Sequence, residues 1–292
     1  MAFKRIYISF LLAFFVQLSF AQKQQGRPAP KEANVPEGIH YEVKHYREGA
    51  HPRASELSIA YKDDGKRNKP VVVFIHGGGW ANGDNDQVVW QMFKVAQQGF
   101  VGVGISYRLI SEAAFPTCIY DVKEAIRYLK TLQSEIPIDT ERIGVWGYSA
   151  GAHLALMIGL TPEDAFKSDA YSEYDSAVKA LMVVAAPTDF VTRVQTEGDM
   201  RIFSKSQNKD KKFQEEVAPL SYIHKEQLPI YMLHGTADGL VKPYHYQNFE
   251  QQCKKEGVSN FKLFEFEDGG HMFLFKRQKE VLPVFKEFLK SI

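Results

Sequence analysis

Ile143-Gly144-Val145-Trp146-Gly147-Tyr148-Ser149-Ala150-Gly151 decides how the rest of this chain is read. The first four residues read as a buried strand, and Ala150 to Leu160, with Leu154, Ala155 and Ile158 on one face, reads as a helix packed on a sheet. A chain that passes from strand to helix through Gly-x-Ser-x-Gly must turn sharply and leave the serine in a strained conformation, so its neighbours must be nearly free of side chain. Gly147 and Gly151 meet that need, and Ser149 Oγ becomes the candidate nucleophile. At the helix N-terminus, free N–H groups and a positive dipole end lie beside any negative charge that develops. A plain turn is the bland alternative; the strand before and the helix after argue against it.

A serine attacking a carbonyl needs donors for the oxyanion, and a second glycine-rich turn stands upstream at His76-Gly77-Gly78-Gly79-Trp80. It ends Pro70-Val71-Val72-Val73-Phe74-Ile75, a β-branched run suited to a strand buried on both faces. The oxyanion hole is assigned to the N–H groups of Gly78, Gly79 and Ala150, each donor of this kind contributing about 3 kcal/mol to the transition state. A phosphate cradle of the Walker type would need a Gly-Lys-Ser/Thr ending, which this loop lacks.

An acid and a base should follow in that order at later strand ends. Leu228 to Leu233 reads as a strand entering His234-Gly235-Thr236-Ala237-Asp238, and Phe261 to Phe266 reads as a strand entering Glu267-Asp268-Gly269-Gly270-His271. Asp238 is the candidate acid and His271 the candidate general base. Asp189, after the apolar run Ala180 to Ala186, and Asp268 are the rival acids. His76 and His234 open glycine-bearing loops and suit backbone hydrogen bonds, while His153 lies one turn into the helix after Ser149 and suits a satisfied structural position. His40, His45 and His51 are scattered without metal-ligand spacing, so no metal and no cofactor is assigned.

Taken together, His76-Gly77-Gly78-Gly79-Trp80, Gly147 to Gly151, Asp238 and His271 resemble the α/β-hydrolase superfamily. Gly83-Asp84, Tyr107-Arg108-Leu109, Phe115-Pro116, Asp121-Val122-Lys123 and Arg142 to Val145 are similar to the bacterial esterase/lipase group related to hormone-sensitive lipase. The branch most resembled is the feruloyl-esterase and acetyl-xylan-esterase-like one, over residues 55 to 290 or so. The resemblance implies an α/β fold: a mostly parallel eight-stranded sheet, helices on both faces and a short polar lid insertion. It also implies a Ser149-His271-Asp238 triad acting through an acyl-enzyme. Ala152 departs from the second glycine common in the family after the elbow; its methyl narrows the helix packing and leaves the triad intact.

Seven strands are readable, near Ser58–Tyr61, Val71–Ile75, Val101–Ser106, Ile143–Trp146, Leu181–Ala185, Ile230–Leu233 and Lys262–Phe266, with helices between most of them. The helix from Asp121 reads as amphipathic, with Val122, Ala125, Ile126 and Leu129 inward and Lys123, Glu124, Arg127 and Lys130 outward. Asp121 and Asp84 read as N-caps. Pro187 to Gln227 is the least regular stretch and the place for a lid. Lys205, Lys209, Lys211 and Lys212 make it polar, against a long-chain lipid substrate, and Phe190, Met200, Phe203 and Tyr222 line a pocket or join the core.

At the other end, Met1 to Arg5 is basic, Ile6 to Phe20 is mostly apolar, and Ser19-Phe20-Ala21 supplies small residues for signal peptidase. Cleavage after Ala21 and export to the periplasm or medium are expected, with no stable membrane anchor. Residues 22–50 read as a flexible lead-in and 51–292 as one hydrolase domain. A formal net charge of +1, with both signs interspersed, leaves no polyanion groove and no nucleic-acid partner. Cys118 and Cys253 could pair in an exported protein, but one falls before a helix and the other inside another, which favours two free buried thiols.

The expectation is an exported serine carboxylesterase acting on short-chain acyl or hydroxycinnamoyl esters of plant polysaccharides or oligosaccharides. A prolyl-type exopeptidase shares the triad order but normally carries a propeller or paired-glutamate amine anchor, neither of which is visible. A non-catalytic binding module would normally have lost a triad or oxyanion residue, and all are present.

Overall fold

The computed structural model describes residues 35–48 and 52–292. The signal peptide read at 1–21, and most of the lead-in, lie outside them. Eight strands form one sheet: β1 (Ile39–His45), β2 (Glu56–Lys62), β3 (Lys69–Ile75), β4 (Val101–Ile105), β5 (Ile138–Tyr148), β6 (Ala180–Val184), β7 (Ile230–Gly235) and β8 (Phe261–Phe266). Their spatial order is β1-β2-β4-β3-β5-β6-β7-β8, antiparallel at β1·β2 and β2·β4 and parallel from there on.

Seven of these coincide with the strands read from the sequence, two of which end one residue earlier than read, at Ile105 and Val184. The eighth corrects the lead-in: Ile39–His45 pair residue by residue with β2 and form the edge of the sheet. Its alternation of half-buried and exposed positions, with His40, Glu42 and Lys44 interleaved, lacks the apolar run that betrays a central strand.

Helices cover both faces because the connections between parallel strands must cross over. Val72 and Phe74 of β3 pack with α1 (Val89–Gln97) and with α8 (Gln278–Leu289), which follows the short α7 (Phe273–Lys276). Val71, Val73 and Ile75 face the other way, toward α2 (Thr117–Thr131), α3 (Ala150–Leu160) and α6 (Tyr244–Glu256). The chain runs from β3 to β4 on one side and then to β5 on the other. The crevice at the carboxyl ends of β3 and β5 is therefore a topological switch point.

Helix α2 overturns the amphipathic reading. Lys123, Glu124, Arg127 and Lys130 are buried along with the apolar face. The segment after α3 folds back over them: Lys123 Nζ donates to Thr161 Oγ1, Pro162 O and Ala165 O, Arg127 pairs with Glu163, and Lys130 pairs with Asp175. Asp121 is likewise no N-cap. The helix starts at Thr117, and the Asp121 carboxylate, with no exposed side-chain surface, receives Arg47 at 2.8 Å and the backbone N–H of Arg108 at 2.9 Å. Arg47 also forks onto Glu124 at 3.0 and 2.7 Å. Asp84 does cap, accepting from Asp86 N ahead of a short 3₁₀ turn. Cys118 and Cys253 are free and buried, and burial pushes the Cys253 thiol up to about 12.

Candidate active site

Ser149 sits between β5 and α3 at φ 54° and ψ −120°, a strained conformation for a residue with a side chain. Two close approaches explain its glycine neighbours. A Cβ on Gly147 would fall 2.3 Å from Gly151 O, and one on Gly151 would fall 2.1 Å from Ile75 O at the end of β3. Only bare backbone lets the elbow fold this tightly and sit against the neighbouring strand. Ser149 N donates to Val184 O at 2.9 Å, which ties the turn to β6 as well.

The structure brings Ser149, His271 and Asp238 into one hydrogen-bonded chain. Ser149 Oγ donates to His271 Nε2 at 3.0 Å, and His271 Nδ1 donates to Asp238 Oδ2 at 2.8 Å. The acid's other oxygen, Oδ1, accepts from Leu240 N at 2.9 Å and Val241 N at 3.0 Å. Burial works to raise the Asp238 carboxyl. The His271 hydrogen bond and charge, with those two N–H groups, outweigh it and hold the carboxyl below its ordinary value. The acid therefore stays ionised while it orients the imidazole.

The rival acids are engaged elsewhere. Asp189 caps α4 (Phe190–Glu197), accepting from Thr192 N, Thr192 Oγ1 and Asn248 Nδ2. Asp268 is exposed, and its N–H donates to Thr236 Oγ1. His234 is fully buried and its Nε2 donates to Val241 O at 2.8 Å, so it braces the loop that carries Asp238.

The glycine loop after β3 holds Gly78 at φ 114° and Gly79 at φ 61°. A Cβ on Gly78 would collide with Asn82 O at 1.9 Å, because Gly78 O takes the N–H groups of both Ala81 and Asn82 in a tight turn. Among the described residues the N–H groups of Gly78, Gly79 and Ala150 have no acceptor, and all three belong to the turns that flank Ser149. His76 closes the loop from beneath, its Nδ1 2.7 Å from Gly77 O and its ring stacked 4.3 Å from Tyr107.

His153 proves to be more than a satisfied helix residue. Its Nδ1 accepts from Trp80 Nε1 at 3.2 Å, and its Nε2 donates to Val217 O at 2.9 Å. One imidazole thus joins the glycine loop, the nucleophile helix and the lid, and burial lowers it to about 4, which keeps it neutral. The lid is α4, a second short helix α5 (Lys211–Glu216) and the turns around them. Lys205, Lys209, Lys211 and Lys212 face solvent, while Phe190 and Phe203 are buried against Trp80 and Phe115. Met200 and Tyr222 pack partly buried against the same core.

A nucleophile bonded to a base, a base bonded to an acid and three open N–H donors are the parts that acyl transfer requires. Among the described residues no group of three or more His, Cys, Asp or Glu is placed to hold a metal.

The family model BD-FAE matches residues 57–253, about two thirds of the chain, and the protein belongs to that family. Esterase LipQ of Mycobacterium tuberculosis is 26% identical over 214 residues, 71% of this chain and 51% of LipQ; the chain spans about half the length of the curated relatives it matches first. The truncated form of a carbohydrate esterase from gut microbiota superposes with a TM-score of 0.74 over 90% of this chain and 99% of that one, at 22% identity, and so attests the fold. Esterase Est2 of Thermogutta terrifontis, solved with butyrate bound, gives a TM-score of 0.73 at 26% identity, covering 87% of this chain and 95% of Est2.

Proposed function

We propose that this member of the BD-FAE family is an exported serine carboxylesterase that removes short acyl or hydroxycinnamoyl groups from plant-derived saccharides. The observation that carries the reading is the 3.0 Å contact between Ser149 Oγ and His271 Nε2 beside three open N–H donors. His271 takes the Ser149 proton as Oγ attacks the ester carbonyl, and the oxyanion falls to Gly78, Gly79 and Ala150. The carbon–oxygen bond to the sugar breaks, the alcohol leaves with the proton from His271, and the acyl group stays on Ser149. Water then gives a proton to His271, attacks the acyl carbon, and Ser149 regains its proton as the acid departs.

The short acyl group is supported by the butyrate that Est2 holds and by a lid whose outer surface carries lysines rather than an apolar face. The saccharide is supported by the gut carbohydrate esterase of the same fold and by the sequence resemblance, and export by Met1 to Ala21.

A Ser149→Ala protein is expected to keep its melting temperature and to lose hydrolysis of p-nitrophenyl acetate. The wild type should prefer acetyl-xylan, methyl ferulate and p-nitrophenyl acetate over p-nitrophenyl palmitate. Retained turnover in a folded Ser149→Ala protein would sink the mechanism, and a preference for palmitate would sink the substrate class.

A further inference from the structure

Tyr148 occupies the position before the nucleophile where Gly-x-Ser-x-Gly tolerates any residue, and the triad as described makes no use of it. Its side chain nevertheless reaches three segments of the site. The hydroxyl donates to His271 O at 2.9 Å and lies 3.1 Å from Met272 Sδ. The carbonyl is the better acceptor of the two, since a thioether sulfur accepts weakly. The ring centroid is 5.3 Å from the His271 imidazole and 5.7 Å from Phe275. On the opposite side, a Cβ on Gly77 would come 3.0 Å from Tyr148 Cδ1, so the ring packs directly on the start of the glycine loop. Burial, with the charge of Asp238 adding to it, pushes the phenol above its ordinary value and keeps its proton in place to donate.

His271 needs such a support. It ends a loop that runs through Asp268 at φ 55° and the pair Gly269-Gly270. The loop is fastened before the histidine, by Gly269 N to Phe266 O and by Ala237 N to Gly269 O. At His271 itself the imidazole meets Asp238 through Nδ1 and Ser149 through Nε2, but neither contact fixes the backbone that carries the ring. Fastening the His271 carbonyl to the elbow residue next to Ser149 supplies that fixed point, on the same turn that carries the nucleophile.

We propose that Tyr148 is a positioning residue that locks the His271 loop to the nucleophile elbow and thereby sets the approach of Nε2 to Ser149 Oγ. The inference rests on the serine-esterase reading above. Tyr148 acts through His271, so its contribution exists only while His271 does.

Tyr148→Phe keeps the ring contacts with Gly77 and Phe275 and removes only the hydroxyl. With active sites counted by fluorophosphonate titration, the variant is expected to lower kcat about 10-fold while KM stays within about twofold. The rate of phosphonylation should fall in parallel. The deciding measurement is a cycle with His271→Ala: in that background, adding Tyr148→Phe should cause no further loss of the residual p-nitrophenyl acetate hydrolysis. Wild-type kcat in Tyr148→Phe, or the same fold-loss with and without His271, would overturn the proposal. Counting sites keeps the test valid if part of the variant unfolds. Lack of ester turnover by the wild type would instead overturn the proposed function, and the phosphonylation rates would still report on Tyr148.

Discussion

Replacing His153 by glutamine is expected to make the protein less sensitive to acid. The wild-type imidazole is fully buried, accepts from Trp80 at Nδ1 and donates to Val217 O from Nε2, an arrangement only the neutral ring can make. Burial lowers its folded-state value from 6.5 to about 4. Between those two pH values the unfolded chain binds a proton that the folded one refuses, so stability falls as pH drops through that window and falls no further on this account below about 4. The difference corresponds to about 3 kcal/mol, lost at a steepest slope of about 1.4 kcal/mol per pH unit. His245, lowered by burial to about 3, should add a similar slope of its own. Glutamine can present an N–H to Val217 O and an oxygen to Trp80, and it does not titrate. Urea unfolding followed by tryptophan fluorescence from pH 7 to 4.5 should show a shallower loss of stability in His153→Gln, with the contributions of His245 and His234, both also lowered by burial, remaining. Parallel stability curves for the two proteins over that range would refute the assignment of a neutral, proton-refusing His153.

Two further outcomes follow from the packing. Gly151→Ala places a Cβ 2.1 Å from Ile75 O and 2.5 Å from His76 O, backbone atoms that cannot swing aside, so α3 must move. A displacement of about 1 Å should reduce p-nitrophenyl acetate turnover about 100-fold and cost about 1–3 kcal/mol of stability, checked by kcat and by chemical unfolding. Asp121→Asn leaves the Arg47 and Arg108 guanidiniums without the buried carboxylate they share; a loss of about 3 kcal/mol in unfolding free energy is expected, with kcat per titrated active site unchanged.

Much of the scaffold was legible because its determinants are local. The valines of β3 announce a strand buried on both faces, and the glycines at 78, 147 and 151 announce turns that no other residue could make so tightly. Strand-end loops carrying Asp238 and His271 follow from the same reading, since an apolar run and a glycine-bearing turn are properties of neighbours in the chain. These features set the fold class and put the serine, acid and histidine of one site in their order along the chain.

Tertiary structure alone decided what depends on partners far away in sequence. Residues 39–45 become a strand because β2 offers an edge, not because their own pattern is strongly apolar. The charged face of α2 is buried because Glu163, Asp175 and the carbonyls of Pro162 and Ala165 return to meet it, and no helical periodicity contains that information. Asp238 and Asp189 both lie in loops that follow strands, and only packing could give one the histidine and the other a helix to cap. Tyr148 is the sharpest case. In the sequence it fills the free position of Gly-x-Ser-x-Gly, but its hydroxyl meets a carbonyl 123 residues later. A strand-to-helix turn constrains the backbone on either side of the serine, whereas the reach of the side chain between them is set by whichever loop the fold lays across it.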